Sequence, residues 1–508
     1  MKLRAALLAG LTCTAIVIAP AWAADEKKPD ATKAEGKTDK SEKAEKDAGS
    51  MAPLPDDKTV SQSITLNGKP LNYQATVGKI PVYSAKGKKI AEVVFTSYIV
   101  PGNNPTRPVT FAFNGGPGAS SVYLNMGAVG PKRVQFGDKG DVPSDLKVTD
   151  NPDSWLDMSD LVFIDPVGTG YSRSLTDEAE TKKEFYNTES DITYLSRVVY
   201  DWLVKNNRLR SPKFLMGESY GGYRAPRLAL NLQTRMGIGI SGVVMVSPYL
   251  DPAAIGSETA LSPLPWMINL PSMAAGNFER KGTMSPAHLA EVERYVRGAY
   301  VTDFLAGRSD PAAVGRMVKQ VAEYTGLDPA LVARMDARID IGTYLREAHR
   351  DERKIGSVYD SSVTAYDPFP ESFGGGRSGD PILNALIAPS TSAMVDFIQR
   401  EVGWKTDAHY EALSYEVNAA WDRNRKDKPV SDLRQAMAND PKMAVLISHG
   451  YNDLSCPFFT SRLVIDQLPS FGGKANIKLT IYPGGHMFYS RAESGAAFKK
   501  DAKALYGL

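Results

Sequence analysis

The sequence predicts an α/β protein with a mixed, mostly parallel central sheet and a large, mainly helical insertion that caps it. Three observations carry this. Short apolar runs rich in Val, Ile and Phe recur between turn residues, as buried parallel strands do. The segment Gly217-Glu218-Ser219-Tyr220-Gly221 stands between one such run, Lys213–Met216, and a helix-like stretch from Tyr223. A long charged, helix-like text, 252–440, separates the earlier runs from the last two.

Taken in order, Lys2 and Arg4 precede the apolar run Ala5 to Ala19 and the small-x-small site Ala21-Trp22-Ala23. Residues 1–23 read as a signal peptide, too short to span a bilayer comfortably, so no stable membrane insertion is expected once it is cut. Residues 24–59 are mostly Lys, Glu, Asp and Ala, with few apolar residues and no aromatic, and read as a disordered charged linker. The first part of the core, 60–251, opens with alternating runs and turns at Asn67-Gly68 and Lys86-Gly87, the pattern of antiparallel strands. Val109–Phe113, Leu161–Ile164, Lys213–Met216 and Ile240–Val246 then supply inner strands. After the cap, whose Trp266, Phe278 and Tyr324 read as its own core, the second part, 441–508, adds Met443–Ser448 and Ile477–Tyr482.

With 508 residues and 43% hydrophobic content the chain can bury a full core plus an insertion. Its net charge of +2 falls near zero without Lys2 and Arg4, which excludes a basic nucleic-acid-binding surface as the main feature. Only Cys13 and Cys456 are present, so the processed chain has no intramolecular disulfide. An exported protein, periplasmic or extracellular, is expected, and the lack of an Asn-x-Ser/Thr sequon favours a bacterial envelope. Nothing in the sequence indicates an oligomeric state.

The Gly-x-Ser-x-Gly segment reads as a nucleophile elbow with Ser219 as nucleophile. A serine hydroxyl needs a base, and the base needs an orienting acid. In α/β-hydrolases the acid and then the base follow the serine along the chain. His486 fits the base, on the turn after Ile477–Tyr482, and Asp453 the acid, on the loop after Met443–Ser448. His288, His349 and His409 lie in charged, helix-like text and read as surface residues; His449 comes too early to follow the acid. Asn114-Gly115-Gly116-Pro117-Gly118 after the strand Val109–Phe113 supplies exposed amides, and the N–H groups of Gly116 and Tyr220 are the expected oxyanion donors. That loop lacks the Gly-Lys-Ser/Thr ending of a phosphate-binding loop, and neither cofactor nor metal is expected.

Beyond the elbow, Asn114-Gly-Gly-Pro-Gly-Ala-Ser-Ser121, Gly130-Pro131, Asn151-Pro-Asp-Ser-Trp155, Asp165-Pro-Val-Gly-Thr-Gly-Tyr-Ser172, Gly222, Pro226 and Gly485-His486-Met487 together resemble the serine carboxypeptidases. The resemblance covers roughly 105–260 and 440–490. It implies an α/β-hydrolase fold, peptide substrates trimmed from the C-terminus, and Ser219, Asp453 and His486 as triad. It also places Asn114 and Glu218 at the substrate's terminal carboxylate, Gly115 among the substrate-binding residues, and Cys456 and Met487 near the leaving residue. The chain departs from the family in having Ala112 and Ala128 where a Trp and a second Glu of the carboxylate clamp are usual. Arg133 and Arg224 are the candidate cations to replace them, weighed against ordinary surface arginines. The leading reading is an exported serine carboxypeptidase; the alternative is another serine hydrolase of this fold, an aminopeptidase or esterase, and a non-catalytic binding protein is the third.

Overall fold

Why an open sheet forms is plain from the burial of its strands. In a computed structural model, which describes residues 52–507 except 103, 136–146, 252–260, 373–378, 424–427 and 472–475, the inner strands are buried along their whole length. Pro53–Leu508 form one compact unit. The expected signal peptide and most of the expected linker lie outside the described residues. The described end of that linker is not free chain: Leu54 is buried, Asp57 accepts hydrogen bonds from the Lys79 amide and the Lys205 ammonium, and Lys58 already opens the first strand.

Three antiparallel strands lead, β1 (Lys58–Leu66), β2 (Lys69–Tyr83) and β3 (Lys89–Ile99). Asn67 and Gly68 join β1 to β2 with φ of 52° and 73°, the left-handed pair that a tight hairpin requires. Next come β4 (Val109–Phe113), β5 (Asp160–Ile164), helix α1 (Thr188–Lys205), β6 (Lys213–Glu218), α2 (Tyr220–Asn231) and β7 (Gly242–Val246). In the insertion lie α3 (Leu264–Arg280), α4 (Pro286–Arg297), α5 (Pro311–Thr325), a short hairpin of β8 (Lys354–Gly356) and β9 (Thr364–Tyr366), and α6 (Pro381–Asp396). The chain closes with β10 (Ala444–Gly450), β11 (Ile477–Tyr482) and α7 (Ala492–Leu505).

Strand order is β1-β2-β3-β5-β4-β6-β7-β10-β11, parallel from β5 onward. Side chains alternate between two cores, as a period of two demands. Ala112, Met216, Val244 and Leu446 enter one, whereas Phe111, Leu215, Val243 and Val445 enter the other with Trp202 of α1 and Leu228 of α2. The insertion builds a third core around Ile268, Val292, Met317 and Tyr344, which also takes in Leu454, Phe458 and Phe459 from just beyond β10. Helix α6 and its continuation to Val402 are long and apolar enough to cross a membrane by composition. Here, though, Ile382, Leu386, Met394 and Phe397 pack into the first sheet core.

Candidate active site

Register decides where the chemistry gathers. Phe113 pairs with Gly217, and Val246 pairs with both Glu218 and Ser448, so β4, β6, β7 and β10 end at the same edge of the sheet. This carboxyl edge is where ligands meet open α/β sheets. Asn114, Ser219, Asp453 and His486 all lie on turns leaving it.

Ser219 has φ 60° and ψ −121°, a conformation that costs energy for a residue with a Cβ and is held by its surroundings. Its N–H donates to the Val246 carbonyl at 3.0 Å, and its own carbonyl accepts from Tyr249 N–H at 3.1 Å. A Cβ on Gly221 would fall 2.3 Å from the Phe113 carbonyl oxygen, and one on Gly115 would fall 2.5 Å from the Tyr220 nitrogen. Glycine at these two places lets the β4 loop lie against the elbow. That contact brings the Gly116 segment beside the Tyr220 amide, and among the described residues neither N–H donates to a protein acceptor.

His486 and Asp453 form a buried pair, Nδ1 to Oδ2 at 2.8 Å, at 3% and 0% side-chain exposure. Asp453 Oδ1 accepts from the amides of Ser455 at 2.8 Å and Cys456 at 2.9 Å, so the carboxylate is fixed on both oxygens. Burial alone disfavours a charged imidazole, but the Asp453 carboxylate outweighs it and raises the His486 pKa. Ser247 Oγ donates to the His486 carbonyl at 2.7 Å and anchors the loop from the sheet side.

Glu218, one residue before Ser219, is fully buried. Burial raises its pKa to about 7, against the opposing pull of His486, Tyr489 and Asn114. Asn114 Nδ2 donates to Oε2 at 2.8 Å, and the Tyr489 hydroxyl lies 3.0 Å from Oε1 and 2.9 Å from Oε2. Cys456 is buried, and burial holds its thiol well above the usual pKa, with Asp453 adding to the rise. Met487 lines a small cavity with Tyr359, Asp360, Ile382 and Leu386, beside His486. Among the described residues no group of His, Cys, Asp and Glu is placed to hold a metal ion.

Two readings of single residues need correction. Arg224 is neither a carboxylate clamp nor a surface residue: it is 1% exposed, pairs with Asp191 through Nε at 2.7 Å, and donates from Nη1 to the Asn114 carbonyl at 2.8 Å. Arg133 pairs with Asp153 at 2.9 Å. His349 is not on the surface; at 2% exposure it is packed within the cap, where burial lowers its pKa to about 4. His449 is also buried, bonded through Nε2 to Ser461 Oγ at 2.8 Å. Sequence reasoning missed Tyr489, which a closer look at the aromatic pair after Gly485-His486-Met487 would have flagged. It also missed Tyr359, whose ring packs edge-on against His486 at 5.2 Å and which no local signal marks.

The sheet order, the strained serine turn and the Asp–His pair at one edge define a chain of the α/β-hydrolase fold. Within that class the family model described as serine carboxypeptidase matches residues 74–271 of this chain. Among curated proteins it is 34% identical over 149 residues to the pheromone-processing carboxypeptidase KEX1 of Yarrowia lipolytica, covering 29% of this chain and 22% of that protein. It is 28% identical over 204 residues to the serine carboxypeptidase-like 36 protein of Arabidopsis thaliana, covering 39% of each. The chain thus spans well under half the length of these relatives. Among solved structures, a prohormone-processing carboxypeptidase from Saccharomyces cerevisiae superposes with a TM-score of 0.53 at 16% identity, covering 86% of this chain and 91% of that one, a likeness of fold.

Proposed function

We propose that the chain is an exported serine carboxypeptidase that removes C-terminal residues from peptides through an acyl-enzyme on Ser219. The observation that carries the reading is the convergence, within the family-matched fold, of Ser219 with the buried His486–Asp453 pair and the amides of Gly116 and Tyr220 at one sheet edge. In this mechanism Ser219 Oγ attacks the carbonyl of the last peptide bond while His486 Nε2 takes its proton. The Gly116 and Tyr220 N–H groups face the oxygen that becomes anionic. His486 then gives the proton to the departing amine, the C–N bond breaks, and a water molecule activated by the same imidazole hydrolyses the ester. Asp453 keeps Nδ1 protonated and steadies the imidazolium.

Asn114 and Glu218 are the proposed contacts of the substrate's terminal carboxylate. Glu218 suits this only when protonated, because a buried carboxylate would repel another. Export rests on the leader ending at Ala23. A second reading, an aminopeptidase or esterase of the same fold, is favoured by Ala112 and Ala128, which leave the clamp short of two side chains. Catalytic efficiency on paired free-acid and amidated peptides separates the two. A clear preference for free acids supports the carboxypeptidase; equal rates, or a requirement for a free N-terminus, overturn it.

A further inference from the structure

The hairpin β8–β9 belongs to the insertion, yet its tip, Ser357–Ser362, lies between the two loops that carry Asp453 and His486. Consecutive carbonyls on this tip serve different loops. The Val358 carbonyl accepts from the amides of Leu454 and Ser455, both at 3.0 Å, immediately after Asp453. The Tyr359 carbonyl accepts from the amide of His486 itself at 2.5 Å. The Ser361 amide returns a bond to the Asn452 carbonyl at 3.0 Å. Because the two accepting carbonyls are one peptide unit apart, the tip fixes how far the acid loop stands from the base loop. The approach leaves no slack: a Cβ on Gly485 would fall 2.0 Å from the Tyr359 carbonyl oxygen.

One side chain locks the tip in place. Arg491 Nη2 donates to Asp360 Oδ2 and Ser362 Oγ, both at 2.9 Å, and Nη1 donates to Glu279 Oε1 on α3 at 2.9 Å. Glu279 in turn accepts from Asn452 Nδ2 at 2.6 Å, which closes a circuit from the tip through the acid loop and α3 back to Arg491. Arg491 is 13% exposed and Asp360 7%, so the link is little screened by water. A planar guanidinium holds two carboxylates at once from fixed positions, which a lysine ammonium does not. On the other side Asp380, at the N-terminus of α6, accepts from Ser357 Oγ at 2.7 Å and the Val358 amide at 2.8 Å. The tip is thus pinned at both ends before it touches either catalytic loop.

We propose that this hairpin tip is a positioning element of the triad, and that Arg491 is the residue that keys the insertion into the catalytic loops. The inference rests on the reading of Ser219, Asp453 and His486 as triad. Displacing the tip leaves the triad residues in place chemically but loosens the separation of acid and base. The reaction rate then falls while substrate contacts at Asn114 and Glu218 are untouched. Misplacement of a catalytic group by about 1 Å costs on the order of 10²-fold in rate.

The test uses the full chain, with two variants that reach the same link from opposite sides. Arg491→Lys retains the charge but holds one carboxylate at a time. Asp360→Asn retains Oδ1, which turns the tip through the Ser362 amide at 3.0 Å, while removing the charged acceptor of Arg491. Each is compared with wild type and Ser219→Ala by the rate of fluorophosphonate labelling of Ser219 and by kcat and KM on a free-acid peptide, with circular dichroism as the check on folding. Labelling and kcat are expected to fall about tenfold or more in both variants, with KM within about twofold. Folded variants with wild-type labelling and kcat, or with the loss confined to KM, overturn the inference alone. A wild type that takes no label at Ser219 overturns the triad reading, and the inference with it.

Discussion

The Tyr489 hydroxyl lies 3.0 and 2.9 Å from the two carboxyl oxygens of Glu218, the residue that precedes Ser219. Asn114 occupies one of those oxygens as well, so a fully buried carboxyl beside the candidate nucleophile is met by two uncharged donors and by no cation in hydrogen-bond contact among the described residues. Neutral donors offset part of the desolvation of the ionised form but not all of it. The result is a group that gains or loses its proton close to neutrality.

Tyr489→Phe removes one of the interactions that holds the Glu218 pKa down. Burial then acts with less opposition, and the pKa moves above about 7. If protonated Glu218 receives the substrate's carboxylate, the alkaline limb of kcat/KM on free-acid peptides shifts to higher pH, while the profile on amidated peptides stays put. Profiles of both substrates from about pH 4 to about pH 8, spanning the ordinary Glu and His values, check this. A limb that stays fixed or moves to lower pH would separate Glu218 from terminal recognition.

Glu218 also makes stability depend on pH. Its folded pKa of about 7 exceeds the ordinary value of 4.5, so between these two the folded chain holds a proton that the unfolded chain has lost. Stability from this group therefore falls as pH rises through that window, by about 3 kcal/mol in all, and is level below and above it. Glu218→Gln cannot ionise. Denaturant unfolding should find the variant more stable than wild type at pH 8, with the advantage gone at pH 4. An advantage of the same size at both pH values would show that folding does not raise the Glu218 pKa above its ordinary value.

For the triad, Ser219→Ala and His486→Ala are each expected to lower kcat by about 10⁶-fold, and Asp453→Asn by about 10⁴-fold, because the first two act as a unit and the third orients. Circular dichroism should be unchanged, since Ser219 and His486 stand on turns. Retention of near wild-type turnover by Ser219→Ala defeats the assignment.

Arg224 is expected to matter for stability and not for terminal recognition. Arg224→Met leaves Asp191 ionisable and fully buried without its partner, a loss of about 3–5 kcal/mol. Urea unfolding measures it, and Asp191→Leu added to Arg224→Met should restore much of the loss. A variant of normal stability with altered discrimination between free-acid and amidated peptides would return Arg224 to the substrate site.

Much of the core is written locally. The runs at Val109–Phe113 and Lys213–Met216 became strands because short apolar text is buried there on both faces, and Ile477–Tyr482 became the partly exposed edge strand. The turn at Asn67-Gly68 followed from residues that tolerate positive φ. The order of Ser219, Asp453 and His486 placed them on strand-end turns because a parallel sheet puts all such turns at one edge. Arg224 and His349 were misread because burial of a polar side chain depends on what the fold brings to meet it. Asp191 is 33 positions from Arg224, and no pattern near Arg224 announces it.

The sequence by itself therefore determined the strands, the elbow, the chain order of the candidate triad and the family resemblance, since these rest on periodicity, backbone permissiveness and short motifs. Tertiary structure alone decided that Tyr489 bonds Glu218, that Arg224 is spent on Asp191, and that a hairpin from the insertion holds the loops of Asp453 and His486 together. Each of these joins segments distant in sequence through hydrogen bonds whose strength depends on mutual burial and geometry, quantities that exist only once the chain has packed.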